Sequence, residues 1–281
     1  VALVLPRAVS DHLARQRRLT LATLGLIRRE WSLMGDDLDA SWRRVGPRVV
    51  LLTASAQMGS ATNGLAYVDD ALDGKVDPEA QVRPQSLAGV ASDGRPLESL
   101  LYSAVIHARS AKVESLPERL RVGGLWLDRI VQTQVADAGR DAAKVAMTVR
   151  PSVRWVRVVS PPCCQRCAVL AGESRTFSHP FQRHPGCDCQ MLPQTVANPG
   201  AVWAKVDPSD VTDLTRRQKL ALASSTEKDP AKALNRVVND YQRKRGRFSG
   251  YTPPTRVDTV IDRAGQREKA MEALRAIGVV I

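Results

Sequence analysis

No stretch of the 281-residue chain is apolar for the roughly 18 residues that a membrane-spanning helix needs, so the sequence offers no candidate span. Aromatic residues are scarce, at 4 %, although 43 % of the chain is apolar. That share suffices for a core. Much of it is Ala and Val, which suits helices packed through small side chains better than a thick, aromatic-rich enzyme interior. Walker, GxGxxG, HExxH and GxSxG signatures are all missing, and no motif picks out a Ser–His pair. The adjacent glycines Gly123-Gly124 fall inside a helical pattern, where they bend a helix rather than cradle a phosphate. No repeat of fixed period is evident. Cysteine is absent from residues 1–162 and from 190–281.

What the chain does have is therefore concentrated. All five cysteines, Cys163, Cys164, Cys167, Cys187 and Cys189, lie within 27 residues, with His179 and His184 among them. The pairing is Cys164-x-x-Cys167 at one end and His184-x-x-Cys187-x-Cys189 at the other, with sixteen residues between. Each short turn can aim two soft ligands at one point, which predicts a metal, with zinc the default and a structural site the expectation. Disulfides are the competing reading. Five is an odd number, and no leader points to an oxidising compartment. A cysteine-protease reading would pair one thiol with His179 or His184, but five clustered thiols are a poor setting for one selective nucleophile. Cys163 is the first candidate for a spare, because adjacent residues in an extended strand face opposite ways. His184 then competes with Cys189 for the fourth position.

The net charge of +12 is uneven: +3 over residues 1–150, +3 over 151–200 and +6 over 201–281. Such a balance predicts a polyanionic neighbour, nucleic acid first and an acidic protein surface second, against the alternative of a solvated basic face. Arg243, Lys244, Arg245 and Arg247 sit between Tyr241 and Tyr251, and basic residues interleaved with aromatics can grip a nucleic-acid strand.

Apolar periodicity predicts helices over 8–34, 37–73 (with a kink or restart at Pro47), 97–112, 117–148, 210–224, 229–240 and 262–277. Residues 53–66 are almost all small, which predicts a close approach to another backbone, in this chain or in a partner. Residues 74–96 read as a connector rich in Gly and Pro. His107, without another ligand type four residues away, reads as a packed or surface histidine. Alternation over 153–159 predicts a strand, and a second strand is expected at 190–192. The fold class is thus mainly α: long N-terminal helices (1–150), a small α+β zinc-knuckle module (151–200) and a helical basic tail (201–281). A module of about 50 residues cannot hold itself together by core burial alone, which is the physical case for a metal.

In these residues the chain resembles the Mu F-like minor capsid (head morphogenesis) family of tailed phages, and more closely its actinobacteriophage branch. The carrying residues are Arg154-Trp155-Val156-Arg157, then Cys164-Gln-Arg-Cys167 with Leu170-Ala-Gly172 after it, then His184-Pro-Gly-Cys187-Asp-Cys189, closed by Pro193. They fit a pattern of CxxC, Leu-x-Gly and HPxCxC; the extra Cys163 departs from it. The helix segment Thr133–Arg140 and the stretch from Leu214 to Asn239 are similar in character. The specific resemblance covers about residues 125–195. It implies a virion protein inside the head, assembled in the host cytoplasm, near the portal protein, the major capsid protein and packaged double-stranded DNA. The metal ligands would come from Cys164, Cys167, His184, Cys187 and Cys189. Stretch 53–66 would contact portal or capsid, and the basic tail would face DNA. Some relatives carry the label capsid maturation protease, which is the alternative reading. A cytosolic zinc-dependent nucleic-acid regulator is a third.

Overall fold

The structure, a computed structural model, describes residues 5–172, 174–184, 186–195, 206–245 and 252–281. It is mainly helical. Four long helices come first: α1 (Arg7–Trp31), α2 (Leu38–Leu72), α3 (Leu97–Ser110) and α4 (Leu116–Thr148). Asp37 and Ser115 cap α2 and α4 by accepting from the amides of Ala40 and Glu118, each worth about 1 kcal/mol. The helix does not restart at Pro47: α2 runs through it for 35 residues. It stops where Asp73 and Gly74 both take positive φ.

Next comes the small module. Strand β1 (Val153–Val158) is central in a three-stranded antiparallel sheet, flanked by β2 (Ser174–Arg175) and β3 (Gln190–Thr195). A single turn, α5 (Gln165–Ala168), lies between β1 and β2. The C-terminal part holds α6 (Arg216–Ala223), α7 (Pro230–Arg245), α8 (Arg256–Ala264) and α9 (Arg267–Ala276). The single last helix expected from residue 262 is instead the pair α8 and α9. Gly265 breaks it at φ 68°, a value that glycine adopts without the steric cost a Cβ brings.

Helix α4 belongs to all three cores. Its Leu127, Val131 and Val135 pack with Leu24, Ile27, Trp31 and Trp42. Its Ala143 and Met147 pack with Tyr67, Trp155, Phe181 and the buried cysteines. Its Val145, with Val149 just past its end, packs with Ile261, Leu274 and Val280. The three sequence regions therefore share their interiors. The connector after α2 is pinned too: Gln81 and Ile281 exchange both backbone hydrogen bonds, at 3.0 and 3.3 Å.

The close approach expected of residues 53–66 is made within the chain, to α4. A Cβ on Gly64 would stand 2.2 Å from the Gly139 carbonyl oxygen. Ser60 Oγ donates to the Val135 carbonyl at 2.5 Å. The buried face of this stretch is thus not available to portal or capsid protein. Gly123-Gly124 seat the Trp31 indole, whose Nε1 donates to the Leu120 carbonyl at 2.9 Å.

Two outcomes follow from this packing. Gly64→Ala forces a backbone apart and should cost about 1–3 kcal/mol in chemical denaturation. Gly25→Ala, exposed on α1 with nothing within 4 Å, should gain about 0.5–1 kcal/mol through helix propensity. The second outcome concerns His12, which is buried and stacked on Tyr67 with ring centroids 4.4 Å apart. Burial, then the charge of Arg15, lowers its pKa from 6.5 to about 4. Between these values the unfolded chain takes up a proton that the folded chain refuses, so stability falls as pH drops through the window. Over that window the wild type should lose about 3 kcal/mol more than His12→Phe, measured as denaturation midpoints against pH.

Candidate metal centre

Two tight turns build the site. After β1, the Cys163 amide donates to the Asp210 carbonyl and the Cys163 carbonyl accepts from Thr212, both at 2.9 Å. This pairing anchors the entry to the first turn. In α5 the amides of Cys167 and Ala168 both close on the Cys164 carbonyl, at 3.1 and 3.0 Å. The Gln165 amide donates to Asp213 Oδ1 at 2.6 Å, and its side-chain oxygen accepts from Gln218 at 2.7 Å. Cys164 and Cys167 therefore stand on one turn, as their spacing predicts. The second turn closes when the Cys187 amide donates to the His184 carbonyl at 3.0 Å, with Gly186 at φ 75°. Cys189 then leads straight into β3.

The donor atoms form two groups: Cys164, Cys167 and His184, and Cys167, Cys187 and Cys189, each within 4.8 Å. Cys167 belongs to both. His184 Nε2 lies 3.1 Å from Cys164 Sγ and 3.2 Å from Cys167 Sγ, and Cys167 Sγ lies 3.7 Å from Cys187 Sγ. These groups could hold a metal ion. None of the five cysteines is bridged. Cys163 belongs to neither group. His179 is exposed beside Arg175, 3.2 Å from its Nη1. His107 is also exposed and stacks on Trp126, with centroids 3.8 Å apart.

The thiols share protons unequally. A hydrogen bond from Cys167, then His184, brings Cys164 down to about 4 against the cost of burial. Cys187 is lowered too, first by Cys167 and Cys189, with the charges of Arg140 and Arg157 assisting. Cys167, which gives those hydrogen bonds, is raised. For Cys189, the bond from Cys167 lowers the pKa, but Cys187 and burial carry it upward. Burial, then Cys164, pushes Cys163 up to about 12. Lowered and raised thiols stand side by side in one cluster, which is the electrostatic setting a cation would relieve.

Around the thiols stands a shell that the sequence did not reveal. Arg140 on α4 donates to the carbonyls of Cys187 and Cys189, the latter at 3.1 Å. It also reaches Asp137 Oδ1 at 3.3 Å. Arg183, the neighbour of His184, grips the same carboxylate through Nε at 2.5 Å and Nη2 at 2.7 Å. Its Nη1 donates to the Pro253 carbonyl at 2.7 Å, and its carbonyl accepts from the Thr252 amide at 2.8 Å. Lys144 joins the His179 carbonyl, at 2.8 Å, to the Asp258 carboxylate. Asp141 accepts from Thr255 at 2.7 Å; burial, then Asp258 and Asp137, raises its pKa well above the usual carboxylate range. One signal for this shell was present: Asp137, Arg140, Asp141 and Lys144 recur at helical spacing among Ala and Gly. Such a stripe ordinarily means a solvated face.

Of the basic residues proposed for nucleic acid, Arg243, Lys244 and Arg245 fall in the last turn of α7, and Arg247 lies outside the described residues. Among the described residues, no helix is long and apolar enough to cross a membrane. Compared with known proteins, the chain matches no family model, no curated protein and no solved structure.

Asp137 is fully buried and serves two guanidinia. Asp137→Asn leaves them short of one negative charge and should cost about 3–5 kcal/mol in chemical denaturation. Asp128→Asn, on the exposed Arg28 pair, should cost under about 1 kcal/mol.

Proposed function

We propose that this chain is a structural protein of a tailed-phage head, related to the Mu F-like minor capsid proteins, and that its Cys/His centre binds one zinc ion as a staple. The observation that carries the reading is the meeting of two donor groups at Cys167, one with Cys164 and His184 and one with Cys187 and Cys189, built from two short turns in the order and spacing of the motif that carries the family resemblance. Zinc suits three thiolates and an imidazole. With Zn–S about 2.3 Å and Zn–N about 2.0 Å, a tetrahedron has S–S edges of about 3.8 Å and S–N edges of about 3.5 Å. The S–S contact of 3.7 Å and the S–N contacts of 3.1 and 3.2 Å lie close to these. The fourth ligand is Cys187 or Cys189, both of which stand within reach of Cys167.

Four protein ligands leave no coordination position for water, which supports a holding role over a catalytic one. The contact between Cys164 and His184 has the reach of a nucleophile–base pair. The same Nε2, however, sits as close to Cys167, and two thiols on one imidazole nitrogen is a ligand arrangement. A capsid maturation protease is accordingly the weaker reading. In the favoured one, the protein lies in the head interior, contacts portal and major capsid protein, and turns its basic C-terminal third toward packaged double-stranded DNA. That orientation rests on the excess of +6 over residues 201–281.

The test combines metal analysis with assembly. Wild type should carry one zinc per chain. Cys167→Ser, which removes the shared donor, should abolish it and lower stability by several kcal/mol, about the scale of a lost structural metal. Cys163→Ser should keep the zinc. Co-expressed with its portal and major capsid proteins, the chain should co-purify with heads. Exclusion from heads by a zinc-loaded chain would end the head assignment and leave the staple standing. Cleavage of capsid protein that depends on Cys164 would establish the protease instead.

A further inference from the structure

A second site stands beside the metal centre. A cavity of about 160 Å³ is lined by Arg157, Arg175, His179 and Gln182, with Trp155 and Leu170 as apolar wall. Its construction follows from strand geometry. Trp155 and Arg157 are i and i+2 on β1 and share a face, and β2 sets Arg175 opposite Trp155. His179 Nε2 then lies 3.2 Å from Arg175 Nη1. No carboxylate is among the described residues that line the cavity.

Arg157 is the decisive residue. It is 3 % exposed. Its guanidinium carbon lies 3.9 Å from the centroid of the Phe181 ring, and Nη2 donates to the Gln182 carbonyl. Nη1 is buried and has no acceptor. Among the described residues no carboxylate pairs with this cation, whereas its neighbours Arg140 and Arg183 both share Asp137. The sulfurs of Cys187 and Cys189 feel its charge, but neither takes the Nη1 hydrogen bond. A buried guanidinium with an idle N–H is costly unless something completes it.

We propose that this cavity is an oxyanion site for a phosphate group, with Arg157 Nη1 donating from its buried floor and Arg175 and His179 contacting the anion from the exposed rim. Two guanidinia and an imidazole offer donors from several directions. A tetrahedral phosphate can accept from all of them, while a planar carboxylate satisfies one fork. A nucleic-acid backbone phosphodiester and a free phosphate share this chemistry, and the overall charge of +12 suits either. The inference stands apart from the head assignment, since it rests on β1, β2 and the loop before His184.

The experiment uses full-length, metal-loaded protein in a phosphate-free buffer at low salt, titrated with inorganic phosphate by calorimetry. One phosphate per chain is expected, with affinity about tenfold weaker in Arg175→Gln. Arg157→Lys keeps the charge but loses the planar fork and should bind more weakly as well. If it does not fold, the rim variant Arg175→Gln still decides. A labelled oligonucleotide then separates the sources. Binding that inorganic phosphate displaces, and that Arg175→Gln weakens, supports the site with a backbone phosphodiester as occupant. Phosphate binding that no oligonucleotide competes with supports the site with a free anion. No uptake up to about 10 mM phosphate, or equal uptake by wild type and Arg175→Gln, overturns the proposal.

Discussion

The Asp137 carboxylate, fully out of water and shared by Arg140 and Arg183, is the interaction on which the rest of this structure depends. Arg140 reaches from it to the carbonyls of Cys187 and Cys189. Arg183 reaches from it to Pro253 and, through its own backbone, to Thr252. One carboxylate thus fixes the second ligand turn to α4 and the entry to α8 to both. Lys144 and Asp258 repeat the arrangement two turns along α4. Buried ion pairs are poor sources of net stability, but removing one partner is severe. Such a network holds loops in one arrangement rather than making the fold more stable than an apolar core would. That suits a ligand cluster, whose donors must be placed to within a fraction of an ångström.

How much of this was legible in the sequence differs from feature to feature. The long helices were, because Leu24, Ile27 and Trp31 keep helical period and Asp37 and Ser115 are cap residues. The metal-ligand turns were, because CxxC and HxxC are local geometry that three or four residues decide. The small-residue stretch announced a close contact but not its partner: Gly64 meets Gly139 across 75 residues of sequence, and no local pattern encodes such a pairing. The charged shell was hidden for a similar reason. Asp137, Arg140 and Lys144 sit on a helix whose every side is covered from residue 137 to 148, and periodicity reports one buried face, not two. Arg157 looked like one more arginine of a basic strand, because an unanswered hydrogen bond exists only in three dimensions.

The two halves of α4 serve different interiors. Its first half belongs to a helical bundle built on Trp31, Trp42 and Leu101, and its second half is the wall against which thiols and sheet are packed. A helical bundle is joined in this way to a small module whose Cys/His cluster could hold a metal ion. The cationic cavity lined by Arg157, Arg175 and His179 lies next to this cluster.

The pairing of Gln81 with Ile281 has a consequence in time. On a ribosome, Gln81 emerges 200 residues before its partner Ile281, and the ligand turns emerge before Asp258 supplies its carboxylate to Lys144. The nascent chain must therefore carry an open strand partner, an unpaired lysine and a half-covered α4 until residues 258–281 are made. Long-range closure of this kind is slow compared with local helix formation. The metal turns, complete within 27 residues, are the part of this protein able to close early and to hold the wall of α4 against the sheet while synthesis continues.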